Sequence, residues 1–350
     1  MSLLATYKQE IRTKIPNPVE RAEWRFTRYG LLTAVKEMTA SPESIINTEL
    51  REKAMASEGR DLKIPVFKIG DVTVKDVRSC VIDDLENTTE LVDVVWATMV
   101  ADISMKKSEH HKNEVSYLED LNRKLLTVDN AFAKAVEGLI DTTLDTEKSV
   151  IYNSGLVGAT GSYPLVGGAM QVALAQQEYF FNDLSVIMEE DDFHAAPYVV
   201  LGSTGLMSPV THYINQGAGN DENLQYQFGN YSFRFSNHVT VSAASRSSAY
   251  CMPNGSIGLM TRIGIDSELG NKAGDGTDWS KTFMPTLGHE VGVMYKSKCS
   301  DLSGQTGLEH LSASMVENWQ FSFDVALVVP FNSDPATIAG AIKKFDFLSA

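Results

Sequence analysis

Cysteine is scarce in this chain: Cys80, Cys251 and Cys299 are the only three in 350 residues, widely spaced and forming no CxxC pair. An odd, scattered set is no disulfide framework, and a reducing compartment is the simplest setting. Long apolar runs are also missing. No stretch of about 18 apolar residues occurs, so no membrane span is expected. The opening MSLLATYKQEIRTKIPNP has no apolar segment after a basic start, so no secretory signal is expected. The sequons at Asn87, Asn230 and Asn254 then read as chance matches. There is no internal repeat and no low-complexity tract.

Positive charge is in short supply. Thirty Lys and Arg face 45 Asp and Glu, a formal net charge of −15. Residues 1–29 run against that trend, with six basic and three acidic residues, net +3, which leaves −18 for the rest. An acidic body argues against tight duplex binding, which depends on phosphate neutralisation by Lys and Arg. A basic segment on such a body would reach across an acidic neighbour, or simply be a solvated terminus. At 43% hydrophobic and 21% charged, the composition is that of an ordinary globular protein with a sizeable core, in one large or two ordinary domains.

Catalytic signatures are absent as well. His289-Glu290 begins like a metalloprotease helix, but the second His four residues on is Val293, and the flanking Gly288, Val291 and Gly292 read as strand. His110 and His111, with Glu109 and Glu114, point to different faces of a helix, a poor metal geometry. The acidic runs Glu189–Asp192 and Asn220–Asn223 read as solvated loops rather than cation sites. GLVGATG (155–161) lacks the Lys of a phosphate loop and follows a helical segment. Ser203 in GSTG is not a nucleophile elbow. The sequence therefore assigns no catalytic, cofactor-binding or metal-binding residue, and no enzyme activity or cofactor is expected. An active site assembled from distant residues, using His289 and the acidic clusters in a cytosolic hydrolase, is the alternative from another class.

What is present is a β-rich segment running into a long helical pattern. In residues 63–82 Val72 and Val74 alternate with Thr73 and Lys75, and Gly70-Asp71 fits a hairpin turn. Residues 89–103 place Leu91, Val95, Ala97, Met99 and Ala101 on one strand face and Val92, Val94, Trp96 and Val100 on the other. Apolar residues on both faces predict contact on both sides, as in a gripping loop or a two-sided core strand. Over residues 110–150, Val115, Leu118, Leu121, Leu125, Val128, Phe132, Val136, Leu139 and Ile140 repeat at helical spacing, with Ser108 as candidate cap. Unbroken, that helix would span about 60 Å. Thr127–Asn130 reads as a kink or a fresh cap, so two collinear helices also fit.

Residues 153–168 form a Gly-rich loop, residues 169–190 return to a helical pattern, and Pro197–Leu201 reads as a buried strand before a short helix over 204–216. Residues 225–300 are strand-rich. Phe321, Phe323, Val325, Leu327 and Val329 alternate cleanly, and Asp334-Pro335 opens a last short helix carrying Ile338, Ile342 and Phe345.

This order resembles the major capsid proteins of tailed bacteriophages, with the Hong Kong 97-type fold. APYVVLGSTGLMSPVTHYI (196–214) looks like that family's entry into its axial domain. SIGLMTRIGIDSEL and HEVGVMYKSKC are similar to its later strands, and QFSFDVALVVPFN (320–332) to its return strand. The resemblance covers nearly the whole chain but is one of order and texture. It implies an α+β fold with an N-terminal arm (1–60), an extended β-hairpin loop (61–104), a spine helix with peripheral domain (105–195), an axial domain (196–318), and a return strand and helix (319–350). It also implies a subunit that self-assembles into hexamers and pentamers, forming an icosahedral shell around double-stranded DNA without sequence-specific binding. Scaffolding, portal and decoration proteins would be separate partners. Location would be the virion capsid, and the host cytoplasm before assembly, with no membrane. The shell of a cellular nanocompartment is the close alternative. Some members crosslink a loop Lys to a neighbour; Lys63, Lys68 and Lys75 are available, but nothing in the sequence marks a partner.

Overall fold

The computed structural model describes residues 29–55, 62–68, 88–106, 116–193, 197–216, 226–228, 230–273, 275–301, 313–332 and 334–349. The basic segment 1–28, Gly70-Asp71, Lys75, Cys80, Asn87, Ser108, His110-His111 and Asn220–Asn223 lie outside the described residues. In chain order the elements are α1 (Gly30–Ala40), α2 (Thr48–Met55), β1 (Lys63–Lys68), β2 (Thr88–Asp93), β3 (Ala97–Lys106), α3 (Tyr117–Thr146), β4 (Leu165–Val166) and β5 (Ala169–Val172). They continue as α4 (Phe180–Glu190), β6 (Tyr198–Ser203), α5 (Met207–Gln216), β7 (Tyr226–Phe228), β8 (Tyr231–Ser236), β9 (Ser245–Pro253) and β10 (Gly258–Arg262). Last come α6 (Ile265–Leu269), β11 (Thr277–Met284), β12 (His289–Asp301), β13 (Ala313–Val328) and β14 (Lys343–Leu348).

The helix α3 organises the molecule. It begins at Ser116, not at Ser108. Ser116 Oγ accepts from Glu119 N at 3.3 Å, and Glu119 Oε2 accepts from Ser116 N at 3.0 Å, a reciprocal capping box. Its 30 residues run without a break, about 45 Å long. Thr127–Asn130 is therefore neither kink nor cap. The polar pair that suggested one is explained by Asp129, which is buried and accepts from Thr286 N at 2.9 Å and Leu287 N at 3.2 Å. The apolar stripe of α3, Leu121, Val128, Phe132, Val136, Ile140 and Leu144, is buried against α1 and a five-stranded sheet.

In that sheet β13 is central. β12 and then β10 follow one another along one of its edges, and β3 runs along the other, with β11 outside β12; all these pairs are antiparallel. A seven-stranded sheet follows the order β4-β5-β14-β9-β6-β8-β7, with β5/β14 and β6/β8 parallel. Helix α4 packs Phe180, Phe181, Leu184 and Ile187 onto one face of it, against Phe345, Phe347 and Phe233.

Several sequence expectations change. Within the span expected as an arm, α1 is a core helix: Leu31, Leu32, Ala34, Val35 and Met38 are all buried. Gly30 begins it because a Cβ there would collide with Phe235 O. Residues 169–172 are strand β5 rather than the start of a helix, since Ala169–Val172 pairs with Lys344–Phe347 of β14. The expected C-terminal helix is a turn followed by β14. Asp334 accepts from Ala336 N at 3.1 Å and Thr337 Oγ1 at 2.6 Å and closes that turn, and Phe345 and Phe347 then alternate onto α4. The sheets also cross the expected boundaries at 196–318 and 319–350. β10, β11 and β12 join β3 and β13, while β14 lies in the middle of the sheet built by residues 165–253. Hydrogen-bonded pairing between segments distant in the chain decides these memberships, and no local pattern reports it.

Candidate assembly site

Strands β1 and β2 form a two-stranded antiparallel ribbon, from Lys63 opposite Asp93 to Lys68 opposite Thr88, that belongs to neither larger sheet. Residues 94–96 leave strand geometry before β3 starts. The alternation seen in the sequence therefore splits into two structural halves. In β3, Ala97, Met99, Ala101, Ile103 and Met105 face the core under α3, so this part of the expected 61–104 loop belongs to the body. The ribbon half keeps its apolar groups outside: Leu91 is 59% exposed and Val95 82%, with Val100 of β3 at 52%. Exposed apolar residues gathered on one segment mark a contact surface more often than singly scattered ones do.

The ribbon's foot has a small core of its own. Leu62, Ile64, Val94 and Trp96 pack with Ile46, Leu50, Ala54, Met260, Ala326 and Val328. Val94 N donates to Leu62 O at 2.9 Å. The Arg262 guanidinium stacks 4.2 Å from the Trp96 ring, and its Nε donates to Asp324 at 2.9 Å. Thr98 Oγ1 donates to the other oxygen of Asp324 at 2.7 Å. Along this segment, exposed Leu91 and Val95 thus alternate with side chains fixed in that small core.

Helix α3 carries a stripe of carboxylates, each committed to a different element. Besides Asp129, Glu137 is fully buried and accepts from Leu31 N (2.9 Å), Leu32 N (3.2 Å) and Ser236 Oγ (2.7 Å). Burial pushes its carboxyl above the usual range. Asp141 accepts from Thr240 N (3.2 Å) and Oγ1 (2.7 Å), and Asp145 takes Lys344 (2.6 Å) and Lys148 (3.0 Å). In the sequence the apolar stripe of this helix is the more conspicuous pattern. The spacing of eight between Asp129 and Glu137, two steps of four, and of four between Glu137, Asp141 and Asp145 was the available signal.

The described residues among those weighed for chemistry are not brought together. Asp191, read as part of a solvated run, is buried and paired with the fully buried Lys343, while Glu189, Glu190 and Asp192 are exposed. Ser203 is buried and accepts from Ser248 N at 3.2 Å. Cys251 lies in the core, where burial pushes its thiol up. Glu290 pairs with Lys281 at 2.9 Å. Gly158 turns the 155–161 loop at φ 106°, a left-handed conformation. Among the described residues no group of three or more His, Cys, Asp or Glu could hold a metal, and no described helix is long and apolar enough to cross a membrane.

His289 starts β12 with its ring 4.9 Å from Phe323. Burial, and then the charge of Lys36, holds its pKa down at about 4. The imidazole is neutral in the fold, and the unfolded chain takes up its proton first. Its contribution is therefore present above pH 6.5 and lost as pH falls through about 4. Wild-type protein should lose about 2–3 kcal/mol more stability than His289→Gln between those pH values, measured by urea unfolding. Equal losses would show that the ring is not the source.

No family model matches the sequence, and no curated protein is similar to it in sequence. Solved structures are similar in fold. A chain of Mycobacterium phage Che8 is 12% identical, superposes with a TM-score of 0.52, and the match covers 95% of this chain and 96% of that one. A chain from the capsid of Ralstonia phage GP4 is also 12% identical, at a TM-score of 0.48 over 96% and 97% of the two chains. The SrpI encapsulin of Synechococcus elongatus PCC 7942 is 8% identical, at 0.42 over 75% and 77%. The likeness to the Che8 chain, across nearly the whole of both chains, shows the α+β fold that the segment order led us to expect.

Proposed function

We propose that this chain is the major capsid protein of a tailed bacteriophage. Copies self-assemble into hexamers and pentamers and close an icosahedral shell around double-stranded DNA. The observation that carries this reading is the β1–β2 ribbon: outside both sheets, apolar and exposed at Leu91, and anchored at a foot that exposes Val95. A ribbon of that kind is covered when it lies over a second copy, and a thin shell needs such interfaces between every pair of neighbours. The fold shared with a phage chain supports the same reading. Here α3 is the spine, the five-stranded sheet is peripheral, the seven-stranded sheet is axial, and residues 1–28 are the arm. The acidic body encloses DNA without sequence-specific contact. The subunit acts by assembly rather than catalysis, with separate scaffolding, portal and decoration proteins as partners. It resides in the virion, and in the host cytoplasm before assembly.

Replacing residues 66–90 by Gly-Gly tests this, because Pro65 and Leu91 face each other and a short link closes the gap. The variant should unfold with wild-type cooperativity yet form no particles by light scattering or electron microscopy. Particles formed without the ribbon would overturn the reading.

A further inference from the structure

A cleft of about 360 Å³ opens beside the ribbon's foot, lined by α1, α2, β10 and the turn between β11 and β12. Two cations enter it. Lys36 Nζ is held by Thr286 O at 3.0 Å, and the Arg51 guanidinium is held at one corner by Thr39 O, where α1 ends. Neither makes an ion pair among the described residues. The acid that acts on Lys36, Asp129, already accepts from two backbone amides. Among the described residues no carboxylate lines the cleft. His289 also lines it, and its buried Nδ1 has no hydrogen-bond partner among the described residues. Gly288, at φ 73°, makes room for the amine: a Cβ there would stand 2.9 Å from Lys36 Nζ. Together these form a small positive recess in a chain whose net charge is −15.

We infer that this recess is a receptor for a carboxylate side chain presented by a second copy of this chain. The occupant follows from three observations. The recess is continuous with the ribbon's foot, since Ala54 and Met260 belong to both. The chain has 45 carboxylates to offer and a net excess of them. Two cations suit a single carboxylate, whereas a nucleic acid backbone is held by a run of them. The inference rests on the shell reading and deepens it, by assigning Arg51 and Lys36 to the contact between copies.

Charge reversal tests it. Arg51→Glu should raise the protein concentration needed for assembly about tenfold or more, while the unassembled protein unfolds as wild type does. Arg51→Lys should assemble nearly normally. Lys53→Glu, the same charge change on the same helix at an exposed residue paired with Glu49, should have little effect. Equal defects in Arg51→Glu and Lys53→Glu, or none in either, would overturn the inference. Electron cryo-microscopy of wild-type particles gives the direct reading: a neighbour's Asp or Glu oxygen beside Arg51 or Lys36. Solvent, or a carboxylate of the same chain, in the recess of a well-formed shell refutes the inference and leaves the shell reading standing. Protein that stays monomeric under all assembly conditions refutes both.

Discussion

Lys343→Met should destabilise the fold by about 3–5 kcal/mol, the usual cost of leaving one partner of a buried ion pair behind. Lys343 and Asp191 are both inaccessible to solvent and in direct contact. The ammonium also lies 4.6 Å from the Tyr152 ring and 5.4 Å from Phe193. Burial lowers its pKa, and Asp191 opposes that shift. With methionine at 343, the Asp191 carboxylate keeps, among the described residues, only Asn153 N, at 2.7 Å. The pair ties together three separate segments: the loop after α3, the end of α4, and β14 in the middle of the seven-stranded sheet. Asp191→Asn on the Lys343→Met background should recover much of the loss, because a neutral amide replaces the stranded charge and still accepts from Asn153 N. Urea unfolding of the two single variants and the double variant measures the coupling. A loss below about 1 kcal/mol in Lys343→Met would mean that the carboxylate finds water or another donor.

That pair also shows where the sequence stopped being informative. Glu189-Glu190-Asp191-Asp192 looks uniform as a string, yet Asp191 alone turns inward, because the chain reverses after α4 with Asp192 at φ 65°. Lys343 sits 152 residues away, in a segment whose spacing suggested a helix. Strand β14 is buried on both faces, yet Lys344 and Asp346, which alternate with Phe345 and Phe347, read as solvent-facing, so the sequence did not report that burial. Elements with a solvent face were legible. The stripe on α3 and the alternation in β13 both survive in the structure, because local periodicity and burial agree there. The ribbon was half legible: its apolar character was visible, but the division at Val94–Trp96 between exposed ribbon and core strand depends on contacts with Arg262 and Met260 far along the chain.

Glu137→Ala should cost about 2–4 kcal/mol, because it strands two buried amides and a hydroxyl at once. The first-turn amides of α1 have no partner within their own helix, and α1 has no side-chain cap at Tyr29. A carboxylate supplied by α3, 106 residues on, does the capping and places negative charge at the positive end of the α1 dipole. The same side chain holds Ser236, at the end of β8, so one residue fixes the helix, the spine and the seven-stranded sheet relative to each other. Glu137→Gln keeps one acceptor for the amides and should lose far less. Its pH dependence should differ as well. Burial raises the wild-type carboxyl above its ordinary value of 4.5, so the stability it gives is whole below pH 4.5 and declines as pH rises through the raised value. Glu137→Gln removes that decline. Urea titrations of the three proteins from pH 4 to pH 8 separate the two effects, and hydrogen exchange at Leu31 and Leu32 reports the cap directly. If Glu137→Ala leaves exchange at those amides unchanged, the capping role is wrong, whatever the global stability shows.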